Sequence, residues 1–288
     1  MKLFYFLSFS LIFLISCDSD ELSYMEKHVK TVRYYLPTEI DNQKSFTVEY
    51  NNDFSVKSFD NIDNITYDNG RLISYTKESS NNQTENISLE LDGDKLMKKV
   101  EVAGEETEDF ILYFDGNKGQ PYGKLKIFDS FSLVEIYEWT NHNITKISNY
   151  EVPSLNGQTE KIPDNLYTFI GNSNPYFTTT IQYDNHPKTF KFFEGVYEYQ
   201  SYFTELSPIE SFQTMNNPTL ITRKIYSFDL PNFDISNMEI NTHFKYTYDK
   251  DGYISRQETF LRQTWESEGR DNLYEHDGVI LEFDYVED

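Results

Sequence analysis

Phe244-Lys245-Tyr246-Thr247-Tyr248 runs into Asp249-Lys250-Asp251-Gly252 and then into Tyr253-Ile254-Ser255-Arg256-Gln257-Glu258, and this stretch decides the fold. Aromatic or aliphatic residues alternate with polar ones on both sides of a four-residue break. Asp bonds its own backbone amides in tight turns and Gly accepts positive φ, so the break reads as a turn and the flanks as strands. The pattern recurs along the chain. Phe46 to Tyr50 precedes Asn51-Asn52-Asp53. Asn64 to Tyr67 precedes Asp68-Asn69-Gly70, and Leu72 to Tyr75 returns. Ser88 to Leu91 precedes Asp92-Gly93-Asp94, and Leu96 to Val102 returns. Phe110 to Phe114 precedes Asp115-Gly116. Consecutive strands joined by tight turns pair as neighbours. The expected fold is all-β: an antiparallel meander of hairpins forming an extended, twisted sheet, with few or no helices.

Composition agrees. The chain has 23 Tyr, 23 Phe and 2 Trp among 288 residues, and Ala103 is its one alanine. Aromatic and β-branched residues suit a pleated, half-buried surface, whereas scarce Ala and modest Leu disfavour helices. Val29-Lys30-Thr31-Val32-Arg33-Tyr34-Tyr35-Leu36 alternates as a first strand; Leu22, Met25, Val29 and Val32 also fall at helical spacing, but the β-branched content favours the strand. Leu133 to Thr140 reads as another strand. Residues 150 to 176 carry Pro153, Gly157, Pro163, Gly171 and Pro175, so loops are expected to interrupt short strands there. Residues 205 to 220 read as a loop with one helical turn from Pro208 to Phe212.

The N-terminus has a different character. Lys2 is followed by an almost unbroken apolar run from Leu3 to Ile15, then Ser16 and the chain's single cysteine, Cys17. A short positive start, an apolar stretch too short for a comfortable membrane span and a small residue before the break describe a secretory signal peptide. Leu14-Ile15-Ser16-Cys17 resembles the lipobox of bacterial lipoproteins, in which the cysteine is lipidated and becomes the first residue of the mature chain. Asp18-Ser19-Asp20-Glu21 resembles the acidic export tag that sends lipoproteins of Bacteroidota to the outer face of the outer membrane. The resulting division is a signal peptide at 1–16, a lipidated N-terminus and tether at 17–27, and a single β domain at 28–288. With one cysteine there is no disulfide, so the fold rests on its aromatic-rich core.

The hairpin units also resemble one another. Ile65-Thr66-Tyr67-Asp68-Asn69-Gly70 and Tyr246-Thr247-Tyr248-Asp249-Lys250-Asp251-Gly252 share Thr-Tyr-Asp and a glycine turn. Ile181-Gln182-Tyr183-Asp184 keeps Tyr-Asp before Asn185-His186-Pro187, and Tyr274-Glu275-His276-Asp277-Gly278-Val279-Ile280 is a looser copy. The chain is similar in this respect to the YD-type, RHS-like repeats of bacterial surface proteins, and to uncharacterised Bacteroidota lipoproteins built from diverged copies of them. That resemblance implies an antiparallel, repeat-derived sheet and no known activity. The irregular spacing points away from a closed cage or a long uniform solenoid.

Charge excludes one class of partner. The chain has 48 acidic and 25 basic residues, a net charge of −23. Nucleic acid requires clustered Lys and Arg to displace counterions, so it is not an expected ligand. Anionic lipid is not expected to bind the protein surface either, and the membrane partner is reached through the lipid on Cys17.

No catalytic pattern emerges. The cysteine is taken by the anchor, there is no Gly-x-Ser-x-Gly elbow, and His28, His142, His186, His243 and His276 are scattered without metal-ligand spacing. Asp249 and Asp251 form a weak calcium candidate; Tyr253 stands where a third ligand belongs, and turn capping explains both acids. No cofactor is expected. Trp139 with Tyr137, and Tyr197 with Tyr199, are the candidate aromatics for stacking on a ligand, against the simpler reading that they are core. The expectation is a non-enzymatic, lipid-anchored protein of the cell envelope, held at the outer membrane and exposed at the surface, that binds a glycan or a protein partner. The alternatives are an envelope carbohydrate-active hydrolase using Asp and Glu carboxylates, or a purely structural surface protein.

Overall fold

A computed structural model describes residues 27–286 except 39–43, 53–54, 60–61, 69–70, 79–82, 116–119, 154–161, 188–215, 227–234 and 268–269. The signal peptide, Cys17, most of the tether, Tyr197, Tyr199 and the 208–212 turn lie outside the described residues. The strands are β1 (Val29–Tyr35), β2 (Lys44–Tyr50), β3 (Val56–Phe59), β4 (Ile62–Asp68), β5 (Arg71–Glu78), β6 (Thr84–Asp92), β7 (Lys95–Val102), β8 (Glu105–Phe114), β9 (Pro121–Ile127), β10 (Phe131–Thr140) and β11 (Asn143–Pro153). After helix α1 (Leu166–Ile170) follow β12 (Phe177–Pro187), β13 (Asn216–Ile225), β14 (Ile235–Tyr248), β15 (Ile254–Ser267) and β16 (Arg270–Tyr285).

The antiparallel meander is present, and Val29–Tyr35 is a strand. Each strand pairs with its neighbours in sequence. The extended open sheet is corrected, however. β1 pairs with β2 on one side and with β16 on the other, Val32 opposite Phe283 and Tyr34 opposite Leu281, so the wall closes into a barrel. Closure needs only a first and a last strand of matching pattern, not regularly spaced repeats, which is why irregular spacing did not prevent it. Pairing removes both sheet edges over the shared length.

The inner face carries the larger apolar cluster. Val32, Ile62, Leu72 and Leu112 are fully buried in one continuous cluster with Tyr75, Ile87, Leu96, Tyr137, Ile144, Ile254 and Leu281. The outer face is charged. Arg33 reaches Glu282 and Asp284, Arg256 bridges Glu258 and Glu282, and Lys224 meets Glu239.

A second apolar cluster lies on the outside. Ile111 and Tyr113 of β8, Leu125 of β9, Val134 and Ile136 of β10 and Val152 of β11 are covered by Leu166 and Ile170. Helix α1 forms because Asn165 accepts the Thr168 amide at its N-cap and Gly171 takes positive φ after it. Gly123 makes room for it: a Cβ there would lie 2.6 Å from Leu166 Cδ1 and 2.6 Å from the Glu135 carbonyl oxygen. The expected loop region, 150 to 176, thus takes in the end of β11 and a short helix. Five residues with one apolar i, i+4 pair carry too little periodicity to be read in advance.

One proposed repeat copy is also corrected. Tyr274 to Ile280 is not a strand–turn–strand unit but the middle of β16, with a bulge opposite Glu258 and Phe260 and Gly278 packed against Thr259. Asp-Gly without a flanking reversal of polarity is as compatible with a bulge as with a turn.

Candidate functional site

The rim where odd-numbered strands begin and even-numbered strands end, here the near rim, concentrates the polar architecture. Six of the eight even-numbered strands, β2, β4, β10, β12, β14 and β16, carry an inward aromatic near that end, and its polar tip reaches back to a carbonyl at the start of the preceding strand. Tyr50 donates to Val29 O at 2.6 Å, Tyr67 to Val56 O at 3.0 Å and Tyr183 to Ile144 O at 2.6 Å. Tyr246 donates to Pro218 O and Tyr285 to Ile254 O, each at 2.6 Å, and Trp139 Nε1 to Pro121 O at 2.7 Å. Each residue buries a ring and satisfies a carbonyl in one step. Burial pushes the Tyr50, Tyr183 and Tyr246 phenols above their ordinary value, so they remain protonated donors.

Two carboxylates organise the same rim. Asp184 accepts from the amides of His186 and Asn217 through Oδ1, and from Asn217 Nδ2 and the Tyr248 hydroxyl through Oδ2. The His186 ring stacks on Tyr248 with centroids 3.9 Å apart, and its Nδ1 lies 3.8 Å from Asp184. Burial first, then the bond to Asp184, raises the Tyr248 phenol. With its lone pairs engaged and its phenol held protonated, this cluster joins β12, β13 and β14.

Asp249 is the second. Its Oδ1 accepts the amides of Asp251 and Tyr253, and Gly252 has φ 86°, so Asp249 caps this turn, while the Asp251 carboxylate meets Lys27. Lys27 places its ammonium where a cation would sit, 2.7 Å from Asp249 Oδ2, against Asp251, and over the rings of Tyr253 and Tyr285. Burial alone would raise the Asp249 carboxyl; Lys27 and the two amides outweigh it and hold it below the usual range. Hydrogen bonds to Asp249 and Asp251 raise Lys27 in turn. Among the described residues no group of three or more His, Cys, Asp or Glu is placed to hold a metal ion.

The aromatic candidates separate. Tyr137 is buried in the inner core, its hydroxyl on Glu135 at 2.7 Å, and Trp139 packs on that core with its Nε1 spent on Pro121. Tyr137 therefore offers no ring face for a ligand, whereas Trp139 is half-buried. Further along the interior, Lys124 meets Glu135 at 3.1 Å, and Lys98 and Lys124 both lie over Phe110. A shallow, open, polar hollow at the near rim lies between Tyr50, Lys57 and Tyr67. Lys27 and Asp184 were not singled out from the sequence. The signal for Asp184 was visible: Tyr67-Asp68, Tyr183-Asp184 and Tyr248-Asp249 all lie at or within a few residues of the ends of even-numbered strands at one rim.

No protein-family model matches the sequence, and no curated protein matches it. Over 90% of its length the chain is similar to a solved structure described as a porin-like protein from Bacteroides uniformis, at 13% identity, 96% coverage of that chain and a TM-score of 0.37. It is similar over the same share to a porin-like protein from Bacteroides vulgatus, at 8% identity, 99% coverage and a TM-score of 0.37. Likeness at this level says nothing of function.

Proposed function

We propose that this chain is a non-catalytic, lipid-anchored protein of the bacterial outer membrane that presents a water-facing β-barrel for binding a protein partner. The observation that carries the reading is the polarity of the wall. A membrane-spanning barrel has an apolar outer band and a polar lumen. This barrel holds its main apolar cluster within, beside a Lys124–Glu135 pair, and carries Lys57, Lys224, Lys245 and Arg262 outside with side chains more than half exposed. Each such cation at the bilayer midplane costs about 2–4 kcal/mol. The barrel therefore stands in water, and attachment falls to the lipobox at Leu14 to Cys17. Cys17 precedes Lys27 by ten residues, roughly 35 Å of extended chain, so the near rim faces the bilayer and the opposite rim faces outward. A protein partner is favoured over a glycan because, of the described candidate stacking aromatics, Tyr137 is buried and Trp139 is half-buried with its Nε1 edge held by Pro121.

The test is Cys17→Ser in a Gram-negative host. The wild-type chain is expected to fractionate with membranes and to carry a diacylglycerol-modified N-terminal peptide by mass spectrometry, and the variant to be soluble with an unchanged melting temperature. A variant that stays in the membrane fraction after carbonate washing would mean that the barrel itself inserts.

A further inference from the structure

We propose that the unpaired edge of β16 from Arg270 to Asp277 is the docking site for an extended, basic segment of a partner protein, which adds to the barrel wall as one more strand. Closure of the barrel is incomplete at this place. β15 pairs with β16 from Glu282 as far as Arg270, but β1 covers the other side only from Tyr285 to Ile280. Among the described residues no strand pairs with that side of Arg270 to Val279, a run of about 33 Å at strand spacing. A row of backbone donors and acceptors fixed in an extended strand is a template for strand addition, with main-chain bonds supplying affinity and alternate side chains supplying specificity.

The side chains narrow the occupant. Leu273 is 56% and Tyr274 48% exposed, the former the most exposed large apolar residue described. His276 stacks on Tyr274, presenting a flat aromatic surface. Protein edges are commonly blunted with Lys, Pro or a bulge. The bulge here comes only beyond Asp277, and Arg270 to Asp277 contains neither Lys nor Pro but three acids, Asp271, Glu275 and Asp277. Arg262 meets Glu275 at 3.6 Å with both side chains half exposed, and the exposed Arg270 stands against Asp271 and Asp277, so the edge stays acidic by a small margin. A second copy placed antiparallel on this edge brings acid opposite acid in a chain already at −23, and like charges across a strand pair are destabilising. The same acids attract a strand that alternates Lys or Arg with apolar residues. The inference goes beyond the anchoring reading and does not depend on it: the edge exists whether or not Cys17 carries lipid.

The probe is a fluorescein-labelled ten-residue peptide alternating Lys with Val and Tyr, titrated into the full-length protein by anisotropy. It is expected to bind, and an isosteric Glu peptide to fail. Replacing two central apolar residues of the Lys peptide by Pro keeps its charge and removes main-chain donors, and should weaken binding about tenfold or more. The double variant Asp271→Lys/Asp277→Lys should weaken the parent peptide to a similar degree with an unchanged melting temperature, since both side chains are exposed. The same reversal at Glu49 and Glu138, elsewhere on the outer wall, should leave affinity unchanged. Equal binding of the Pro peptide, or equal loss from the Glu49/Glu138 reversal, means adsorption to an acidic surface and overturns the proposal. A solution dimer that Leu273→Lys dissociates assigns the edge to a second copy and overturns it as well.

Discussion

Phe110-Ile111-Leu112-Tyr113-Phe114 of β8 and Phe244-Lys245-Tyr246-Thr247-Tyr248 of β14 occupy the same structural role, and both turn alternate aromatic or aliphatic side chains inward. They differ in what lies behind them. In β14 the outward Lys245 is 79% exposed at its side chain. In β8 the outward Ile111 and Tyr113 are as buried as the inward Leu112, because α1 and the chain leading to it cover that part of the outer wall. An alternating strand has one covered face, and a continuous apolar run has two. The barrel thus has an inner core shared by the whole ring and an outer cluster local to β7–β11.

The largest expected effect breaks the inner core. Leu112→Ala should cost about 3 kcal/mol in chemical denaturation and shift every probe together, because the cavity lies in the shared cluster. Leu166→Ala removes the same atoms from the outer cluster. It should accelerate hydrogen exchange of the Leu166–Ile170 amides while leaving those of β14 protected. If β14 loses protection equally, the two clusters are one cooperative unit. A smaller effect is expected from single hydroxyls. Tyr246→Phe strips a buried donor from Pro218 and should cost about 1 kcal/mol globally. Tyr113→Phe, whose hydroxyl holds Pro163 O at 2.9 Å, should instead loosen only the chain beside α1.

The smallest effect is at the near-rim clasp. Lys27→Met should cost less than about 1 kcal/mol, because the pair is partly solvated. Its pH dependence has a definite sign. The folded Asp249 carboxyl lies below its usual 3.8, so its contribution is present above that value and is lost as pH falls through the folded one. Lys27 lies above its usual 10.5, so its contribution is full below that value and is lost as pH rises through the folded one. The stability difference between wild type and variant should be flat across neutral pH and shrink at both ends; a difference that persists at pH 2 would mean that Lys27 acts through packing on Tyr253 and Tyr285.

The hairpins were legible because Tyr, Thr and turn residues act within a few positions, and the structural role of Asp249 was legible because turn capping is local. Lys27 was not, since its partners lie more than two hundred residues away in sequence. Nor was Asp184, whose Asn217 and Tyr248 partners come from strands that only the wall brings together. The apolar run of β8 advertised a second covered face without saying what covers it, and α1 was too short to announce itself.

Period-two alternation, turn chemistry and composition by themselves determined an antiparallel, all-β meander with an aromatic core, because each strand's polarity is a local property of its residues. That the meander closes, that its apolar face turns inward while the charges face water, and that β16 outruns β1 were decided by tertiary structure. Pairing of the first strand with the last is a contact between residues some 250 positions apart, and no local preference encodes whether a sheet ends in two edges or in a ring that leaves part of one strand uncovered.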